Sequence, residues 1–378
     1  FVLRDPAGIR PAFYFQNDEV IVAASERPAI QTAFNISSKD IHEIPRGNAL
    51  IIKRNGNVSI KECNTPTTAK QCSFERIYFS RGTDRDIYQE RKQLGAQLLP
   101  HVLKAIDNDL KNTIFSYIPN TAQVAYNGLF DALRKHCNDY KKELILQHQN
   151  NLTPDVVDNI LSIMPRFDLV AVKDTKLRTF ITEDKQRDEL TAHIYDITYG
   201  VVNKGTDNLV ILDDSIVRGT TLKQSIIRML NRLQPRKLII ASSAPQVRYP
   251  DFYGIDMSRL GDFIAFQAAI ALLKEKGKQH IIQDVYEKCK AQENRPKEDI
   301  INYVKEIYKP FTVEEVSQKI AELVRPENTN IPLEVIYNKV EDLHNACPNH
   351  AGDWYFSGEY PTPGGYKTLN RAYINDIE

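Results

Sequence analysis

Carboxylates, hydroxyls and one glycine lie close together between residues 213 and 221. Main-chain N–H groups in a glycine-containing loop, together with Ser and Thr hydroxyls, can hold a phosphate. The adjacent acids Asp213 and Asp214 repel phosphate but suit sugar hydroxyls or a hard divalent cation. The combination predicts a binding site for a sugar phosphate. The candidate residues are Asp213, Asp214, Ser215, Ile216, Val217, Arg218, Gly219, Thr220 and Thr221.

The elements on either side are those that would position such a site. Leu209 to Leu212 are consecutive apolar residues, typical of a strand buried on both faces of a parallel sheet. Apolar residues from Leu222 to Leu233 then recur at helical spacing, which predicts a helix that begins near Thr220. The unpaired N–H groups and the dipole at a helix start favour an anion. The alternative interpretation is an ordinary buried strand that ends in a solvated acidic turn.

The string from Asp213 to Thr221 resembles the phosphoribosyl pyrophosphate (PRPP) motif of type I phosphoribosyltransferases, in the form found in glutamine PRPP amidotransferases. This resemblance implies an α/β fold in which a parallel sheet with flanking helices carries the site. It also implies that these residues bind PRPP, and that Asp213 and Asp214 meet the Mg²⁺ that accompanies it.

Further motifs of the same family occur in the expected order along the chain. They are Arg4–Pro11, Ala23–Glu26, Ile44–Gly47, Cys72–Arg81, Arg248–Met257 and Phe356–Thr362. The resemblance therefore runs from residue 1 to about 275, apart from one insertion, and returns at the C-terminus.

The resemblance divides the chain into three parts. Residues 1–66 would be a β-rich remnant of the family's glutaminase domain, an N-terminal-nucleophile hydrolase. Residues 67–275 would be the transferase domain with a helical insertion at 135–167, and residues 276–378 a helical C-terminal part. Further strands are predicted at Thr113–Ile118, Leu169–Val172 and Lys237–Pro245. Helical spacing in the C-terminal part is read at Leu333, Ile336, Tyr337, Val340 and Leu343.

The sequence begins at Phe1 inside a predicted strand, and we expect that most of the glutaminase domain is missing. The family's nucleophile is a cysteine at the start of the mature protein, and no residue here corresponds to it. Glutamine hydrolysis is therefore not assigned to this chain. Ammonia would come from the missing domain or from solution.

Two loops correspond to those that meet pyrophosphate in the family. Lys173 and Arg178 resemble catalytic residues of its flexible lid, where they would bind pyrophosphate as a point charge and a bidentate fork. Residues 191–196 lack the basic residues of the family's lid. In the other loop, Asn120 and Ala122 stand where the family has an acid and a serine. A solvated loop and a plain strand-to-helix turn are the alternative interpretations.

Two sets of residues bear on metal binding. Some family members hold an iron–sulfur cluster, and of its four ligand places only Cys72 matches, so no cluster is expected. The other three places hold Asp251, Gly352 and Tyr355. A second set, with spacing that could bind zinc, comprises His344, Cys347 and His350. An ordinary polar tail is the alternative for that second set.

The composition excludes several classes of protein. The 49 basic and 49 acidic residues cancel, so nothing favours nucleic acid or an anionic membrane as a partner. No apolar run reaches the roughly 20 residues needed to cross a bilayer. Five irregularly spaced cysteines in 378 residues indicate reduced thiols and a cytoplasmic protein.

The resemblance implies the first committed step of purine synthesis, in which ammonia displaces pyrophosphate from C1 of PRPP. It further implies a homo-oligomer and inhibition by purine nucleotides. One alternative is a non-catalytic homologue that binds PRPP or nucleotides as a regulator, which the changes at Asn120 and Ala122 favour. The other is a phosphoribosyltransferase for a free purine or pyrimidine base.

Overall fold

The computed structural model describes residues 1–173, 195–254, 257–327 and 329–378. Its strands are β1 (Val2–Leu3), β2 (Phe13–Gln16), β3 (Ile21–Ala24), β4 (His42–Glu43), β5 (Asn48–Ile52), β6 (Val58–Glu62), β7 (Thr113–Tyr117), β8 (Arg166–Phe167), β9 (Ala171–Lys173), β10 (Tyr195–Ile197), β11 (Asn208–Asp213), β12 (Lys237–Ser242) and β13 (Leu333–Tyr337). The α-helices are α1 (Arg27–Phe34), α2 (Arg85–Gln97), α3 (Leu99–Ala105), α4 (Gln123–Gln147), α5 (Pro154–Leu161), α6 (Ile227–Asn231), α7 (Ile264–Glu275), α8 (His280–Lys290), α9 (Val313–Val324), α10 (Val340–Ala346), α11 (Trp354–Ser357) and α12 (Pro363–Ile377). None of these helices is both long and apolar enough to cross a membrane.

A five-stranded parallel sheet forms the centre of the fold, in the order β13-β12-β11-β7-β8. Its middle strand β11 is buried on both faces, since Leu209 to Leu212 are all 0% exposed. Leu209 and Ile211 pack into a core on one face of the sheet, and Val210 and Leu212 pack into a core on the other. Consecutive apolar residues are what a doubly covered strand requires. The predicted α/β fold with a parallel sheet and flanking helices is therefore confirmed.

The edge strand β13 contradicts the helical spacing assigned to residues 333–343. Leu333, Val335 and Tyr337 point into the core while Glu334 and Ile336 alternate with them, and the strand pairs in parallel with β12. Only from Val340 onward is the chain helical, as α10. The C-terminal part is otherwise mainly helical, and the division at residues 275 and 276 stays a prediction.

The buried strand predicted at Leu169–Val172 is found in part, because the described strand begins only at Ala171. This strand, β9, pairs antiparallel with β10 in a separate two-stranded sheet. Val170 and Ala171 are both 0% exposed, whereas Leu169 is 47% and Val172 36% exposed. Arg178 lies outside the described residues, as do residues 191–194 of the predicted lid.

Residues 1–66 form two small antiparallel sheets, β1-β5-β6 and β3-β2-β4. The turn at residues 55–57 joins β5 and β6 as a hairpin. Helix α1 was not predicted in this part, although Pro28 in its first turn suits a helix start. The β-rich character of the segment is nevertheless confirmed.

The insertion predicted at 135–167 does not begin as a separate element. Residue 135 lies inside α4, which runs unbroken over 25 residues. Helix α5 begins at Pro154, because the Thr153 hydroxyl accepts from Val156 N–H and Pro154 occupies the first turn. Ile160 is buried there, whereas Leu161 is 53% exposed.

Candidate functional site

The two carboxylates lie at the carboxyl end of β11, where parallel sheets commonly bind ligands. Asp214 N–H donates to Asp213 Oδ1 at 2.9 Å, and Ser215 N–H donates to Asp214 Oδ1 at 2.6 Å. The main-chain oxygens of the pair accept from Ser243 and Ala244 N–H at 2.9 and 3.0 Å. These bonds tie the acidic turn to the end of β12 and fix both side chains.

Burial disfavours the ionised form of both carboxylates. Burial, reinforced by the negative charge of Asp214, raises the pKa of Asp213 well above its ordinary value. Burial also raises the pKa of Asp214, although the Ser215 N–H, Asp213, the Arg91 charge and the Thr121 hydroxyl act in the opposite direction. A divalent cation would relieve this repulsion by favouring the ionised form of both groups.

The loop after the pair turns sharply into a helix. Gly219 has a φ of 71°, a conformation that side chains rarely adopt. The chain is helical from Thr220, as predicted, and its π-type turn Leu222–Ile226 continues into α6. Ile264 N–H donates to Val217 O at 2.9 Å and anchors the loop from outside. The first N–H groups of this helix therefore follow directly on the loop.

The nine candidate residues differ in exposure. Thr220, Thr221 and Arg218 are exposed, and Arg218 lies 3.5 Å from Asp262. Ile216 is only 4% exposed and packs in the core, so only its main chain could contact a ligand. Ser215, Val217 and Gly219 are partly exposed.

A second loop, between β7 and α4, reaches the pair. Thr121 favours the ionised form of Asp214 and so acts to lower its pKa, and the peptide bond between Pro119 and Asn120 is cis. Ala122 is 1% exposed and packs in the core of the other sheet face, among residues of α4 and β7. Packing therefore accounts for an apolar residue where the family has a serine.

Two residues near the pair were not predicted as part of the site. Tyr195 donates to Pro119 O at 3.4 Å, and burial together with the charges of Asp213 and Asp214 raises its pKa. Arg91 of α2 is 5% exposed, and its charge acts on Asp214. Tyr195 lies in the predicted lid segment 191–196 but has no role in the prediction, and Arg91 belongs to no predicted motif. The tertiary fold reveals the proximity of both to the pair.

Lys173 ends β9 with an exposed side chain. It lies directly opposite Tyr195 in the pairing of β9 with β10. This register places the predicted catalytic lysine on the same two-stranded sheet as Tyr195, whose pKa is raised by burial and by the charges of both carboxylates. Its partner in the prediction, Arg178, lies outside the described residues.

The zinc-compatible set is divided among different environments. His344 Nε2 lies 3.0 Å from Asp353 Oδ2, while Cys347 is 1% exposed within the core. Burial, then the charges of Arg76 and Arg4, lowers the pKa of His350 to about 3. Across residues 1–173, 195–254, 257–327 and 329–378, no group of three or more His, Cys, Asp or Glu could hold a metal.

Two sizeable cavities lie away from the loop at 213–221. One of about 990 Å³ is lined by the N-terminal segment, part of α2 and residues 348–351. The other, of about 820 Å³, follows β13 between α3 and α9. At the candidate site, Thr220 and Thr221 are exposed, whereas Asp214 is buried.

Comparison with known proteins supports the resemblance seen in the sequence. The chain is 26% identical over 272 residues to the amidophosphoribosyltransferase of Pasteurella multocida, which covers 70% of this chain and 47% of that protein. It is 27% identical over 271 residues to the Escherichia coli enzyme, covering 69% of this chain and 47% of that protein. The chain thus spans about half the length of these curated relatives. No family model matches the sequence.

Solved structures show the same fold. A glutamine PRPP amidotransferase from B. subtilis, complexed with ADP and GMP, superposes with a TM-score of 0.58 at 22% identity, over 95% of this chain and 60% of that one. A structure described as the allosteric regulatory enzyme of purine biosynthesis gives 0.57 at 22% identity, over 96% and 60%. The predicted likeness to glutamine PRPP amidotransferases is confirmed, and the parallel sheet with its flanking helices is a type I phosphoribosyltransferase fold.

Proposed function

We propose that this chain is the phosphoribosyl-transfer part of an amidophosphoribosyltransferase. It binds PRPP at the end of β11 and transfers its ribosyl group to ammonia, which gives 5-phosphoribosylamine and pyrophosphate. The observation that carries the proposal is the sequence of features at one strand end. Asp213 and Asp214 are followed by the Gly219 turn and by a helix start at Thr220.

The roles follow from the charges. The main-chain N–H groups and hydroxyls of residues 215–221 hold the 5-phosphate and orient the sugar. The acids Asp213 and Asp214 bind the ribose hydroxyls, and their field favours the positive charge that develops at C1 as pyrophosphate leaves. Lys173 meets the pyrophosphate as a point charge.

The donor set also fits Mg²⁺. Two adjacent carboxylates at the end of β11 offer the hard oxygen ligands that Mg²⁺ takes. Burial raises the pKa of both groups, and a bound cation would act in the opposite direction. Asp213 and Asp214 would therefore hold the ion, directly or through water. When bound, Mg²⁺ supplies positive charge that stabilises the departing pyrophosphate.

The cellular setting is part of the same proposal. The relatives support a role in purine biosynthesis. A location in the cytoplasm, and ammonia delivered by a glutaminase domain or taken from solution, are part of the proposal. A homo-oligomer and inhibition by purine nucleotides belong to the proposal as well. A nucleoside monophosphate shares the ribose 5-phosphate of PRPP, so the loop at 215–221 would accept it.

Pyrophosphate release from PRPP, Mg²⁺ and ammonium tests the proposal. We expect release that needs all three, and Asp213→Asn and Asp214→Asn should each lower it by about 100-fold or more. Asp262→Asn is the matched control, since Asp262 is an exposed acid that pairs only loosely with Arg218 of the loop. Equal rates for the control and the two site variants would refute the assignment.

The second candidate is a non-catalytic homologue that binds PRPP or nucleotides as a regulator. The buried Ala122, in the place of a serine, favours it. Calorimetric binding of PRPP with Mg²⁺, but no pyrophosphate release at any ammonium concentration, would support this candidate. Replacing ammonium with free purine or pyrimidine bases in the same assay tests the base phosphoribosyltransferase.

A further inference from the structure

The guanidinium of Arg10 lies at the meeting point of three distant segments. Its Nη1 donates to Glu75 Oε1 at 2.9 Å and to Cys72 Sγ at 3.3 Å. Its Nη2 donates to Asp251 Oδ2 at 2.9 Å and to the Tyr355 hydroxyl at 3.4 Å. The N-terminal segment, the loop after β12 and helix α11 are therefore joined through one side chain.

The surroundings of Arg10 are largely closed to water. Asp251 is 0% exposed, and its other carboxylate oxygen accepts from Trp354 Nε1 at 3.2 Å. The Phe79 ring lies against the guanidinium, with its centroid 5.2 Å from Cζ. A bidentate cation with five donors in a plane suits such a site, whereas a lysine would offer a single point.

Three of these partners, Cys72, Asp251 and Tyr355, stand at ligand places of the iron–sulfur cluster held by some members of the resembling family, and the fourth ligand place holds Gly352. Cys72 and Gly352 form a β-bridge, and Asp251 and Tyr355 face Arg10 from the other side. A side chain cannot replace the glycine, because a Cβ on Gly352 would lie 2.5 Å from the main-chain oxygens of Gln71 and Lys70. One thiol, a carboxylate, a phenol and a glycine do not supply the thiolate ligands of an iron–sulfur cluster.

We propose that Arg10 takes the place of the metal centre as the cross-link between these segments. The chain therefore reaches its native structure without iron or sulfide. The contacts of Arg10 also hold the loop at 248–254 against α11. There, Arg248 and Tyr249 N–H both donate to Tyr355 O, at 2.8 and 3.0 Å. That loop follows β12, whose end is bonded to the acidic turn at Asp213.

Two measurements on the whole chain test this proposal. Protein produced with and without an iron chelator should have the same thermal midpoint and substoichiometric iron by elemental analysis. Arg10→Met should lower the midpoint by roughly 5 °C or more, because it removes the cation that faces Asp251 and Glu75. The thermal midpoint of Arg10→Lys should lie between those of the wild type and Arg10→Met, since an ammonium cannot span both carboxylates.

Arg236→Met is the matched control. Arg236 pairs with Asp109 at the same 2.9 Å but with a 48% exposed side chain, so its loss should change the midpoint little. An iron atom per chain, or equal midpoints for Arg10→Met and Arg236→Met, would overturn the proposal. If Arg10→Met does not fold, the thermal midpoints of Arg10→Lys and Tyr355→Phe are compared with that of the wild type instead. Wild-type midpoints in both variants would likewise overturn the proposal.

Discussion

Lys173 and Tyr195 lie directly opposite each other in the antiparallel pair of β9 and β10. Tyr195 in turn donates to Pro119 O, in the loop whose Thr121 favours the ionised form of Asp214. The predicted catalytic lysine is thus connected to the carboxylate pair by a short ribbon. A cation on that ribbon and two acids at the strand end are suited to opposite parts of one ligand, its pyrophosphate and its sugar.

Lys173→Met is predicted to weaken PRPP binding in the presence of Mg²⁺ by about 10- to 100-fold, the loss expected for one charge-assisted contact. Titration calorimetry measures the affinity. Lys204→Met is the control, because Lys204 is an exposed lysine of a nearby turn. An unchanged affinity of the Lys173 variant would remove this residue from the site.

Gly95→Ala is predicted to destabilise the protein by more than about 3 kcal/mol. The helices α2 and α4 touch through their main chains, and a Cβ on Gly95 would lie 1.7 Å from Ala125 O. The gain in helix propensity, about 1 kcal/mol, is too small to offset this clash. Urea unfolding compares the variant with Gly364→Ala, where the nearest atom is 3.7 Å away and no loss is expected.

Arg91→Met is predicted to cost about 3 kcal/mol of unfolding free energy. Its guanidinium donates to Arg76 O at 2.8 Å and to Ser80 O at 2.6 Å, and the substitution leaves both buried acceptors without that donor. It also removes the charge that favours ionised Asp214. Chemical denaturation of Arg228→Met, an exposed arginine beyond the loop, serves as the reference, and equal stabilities would contradict the prediction.

His350 predicts a loss of stability in acid. Burial lowers its pKa to about 3 from an ordinary 6.5, so between these values the unfolded chain binds a proton that the folded chain does not. Stability from this group is therefore complete above pH 6.5 and falls as the pH drops toward 3, by about 1.4 kcal/mol at pH 5.5. His350→Gln should remove that part of the difference between unfolding at pH 7.5 and 5.5.

The central strand and its loop could be predicted because their signals are contiguous. Four apolar residues from Leu209, an acidic pair and a glycine before a helical repeat leave few other arrangements. The same holds for the start of α5, where Thr153 and Pro154 act only on their own helix. Signals of this kind come from residues that are adjacent in sequence, so a single sequence is enough to recognise them.

The predictions that failed concern residues whose structure or neighbours depend on the tertiary fold. The spacing between Leu333 and Leu343 looks helical because the strand β13 runs almost directly into α10, so two elements were read as one. Tyr195 and Arg91 reach the carboxylate pair from elements far away in sequence. Nothing in the local pattern of either residue indicates that proximity.

The position of β13 along the chain has a consequence for synthesis. Its neighbour β12 is complete at Ser242, but Leu333 follows only after α7, α8 and α9 have been made. A nascent chain therefore carries β12 as an uncovered edge until residue 337 has left the ribosome, and uncovered edges recruit other chains. Products that terminate before β13 should accumulate as aggregates, even though every residue of the loop at 213–221 is already present.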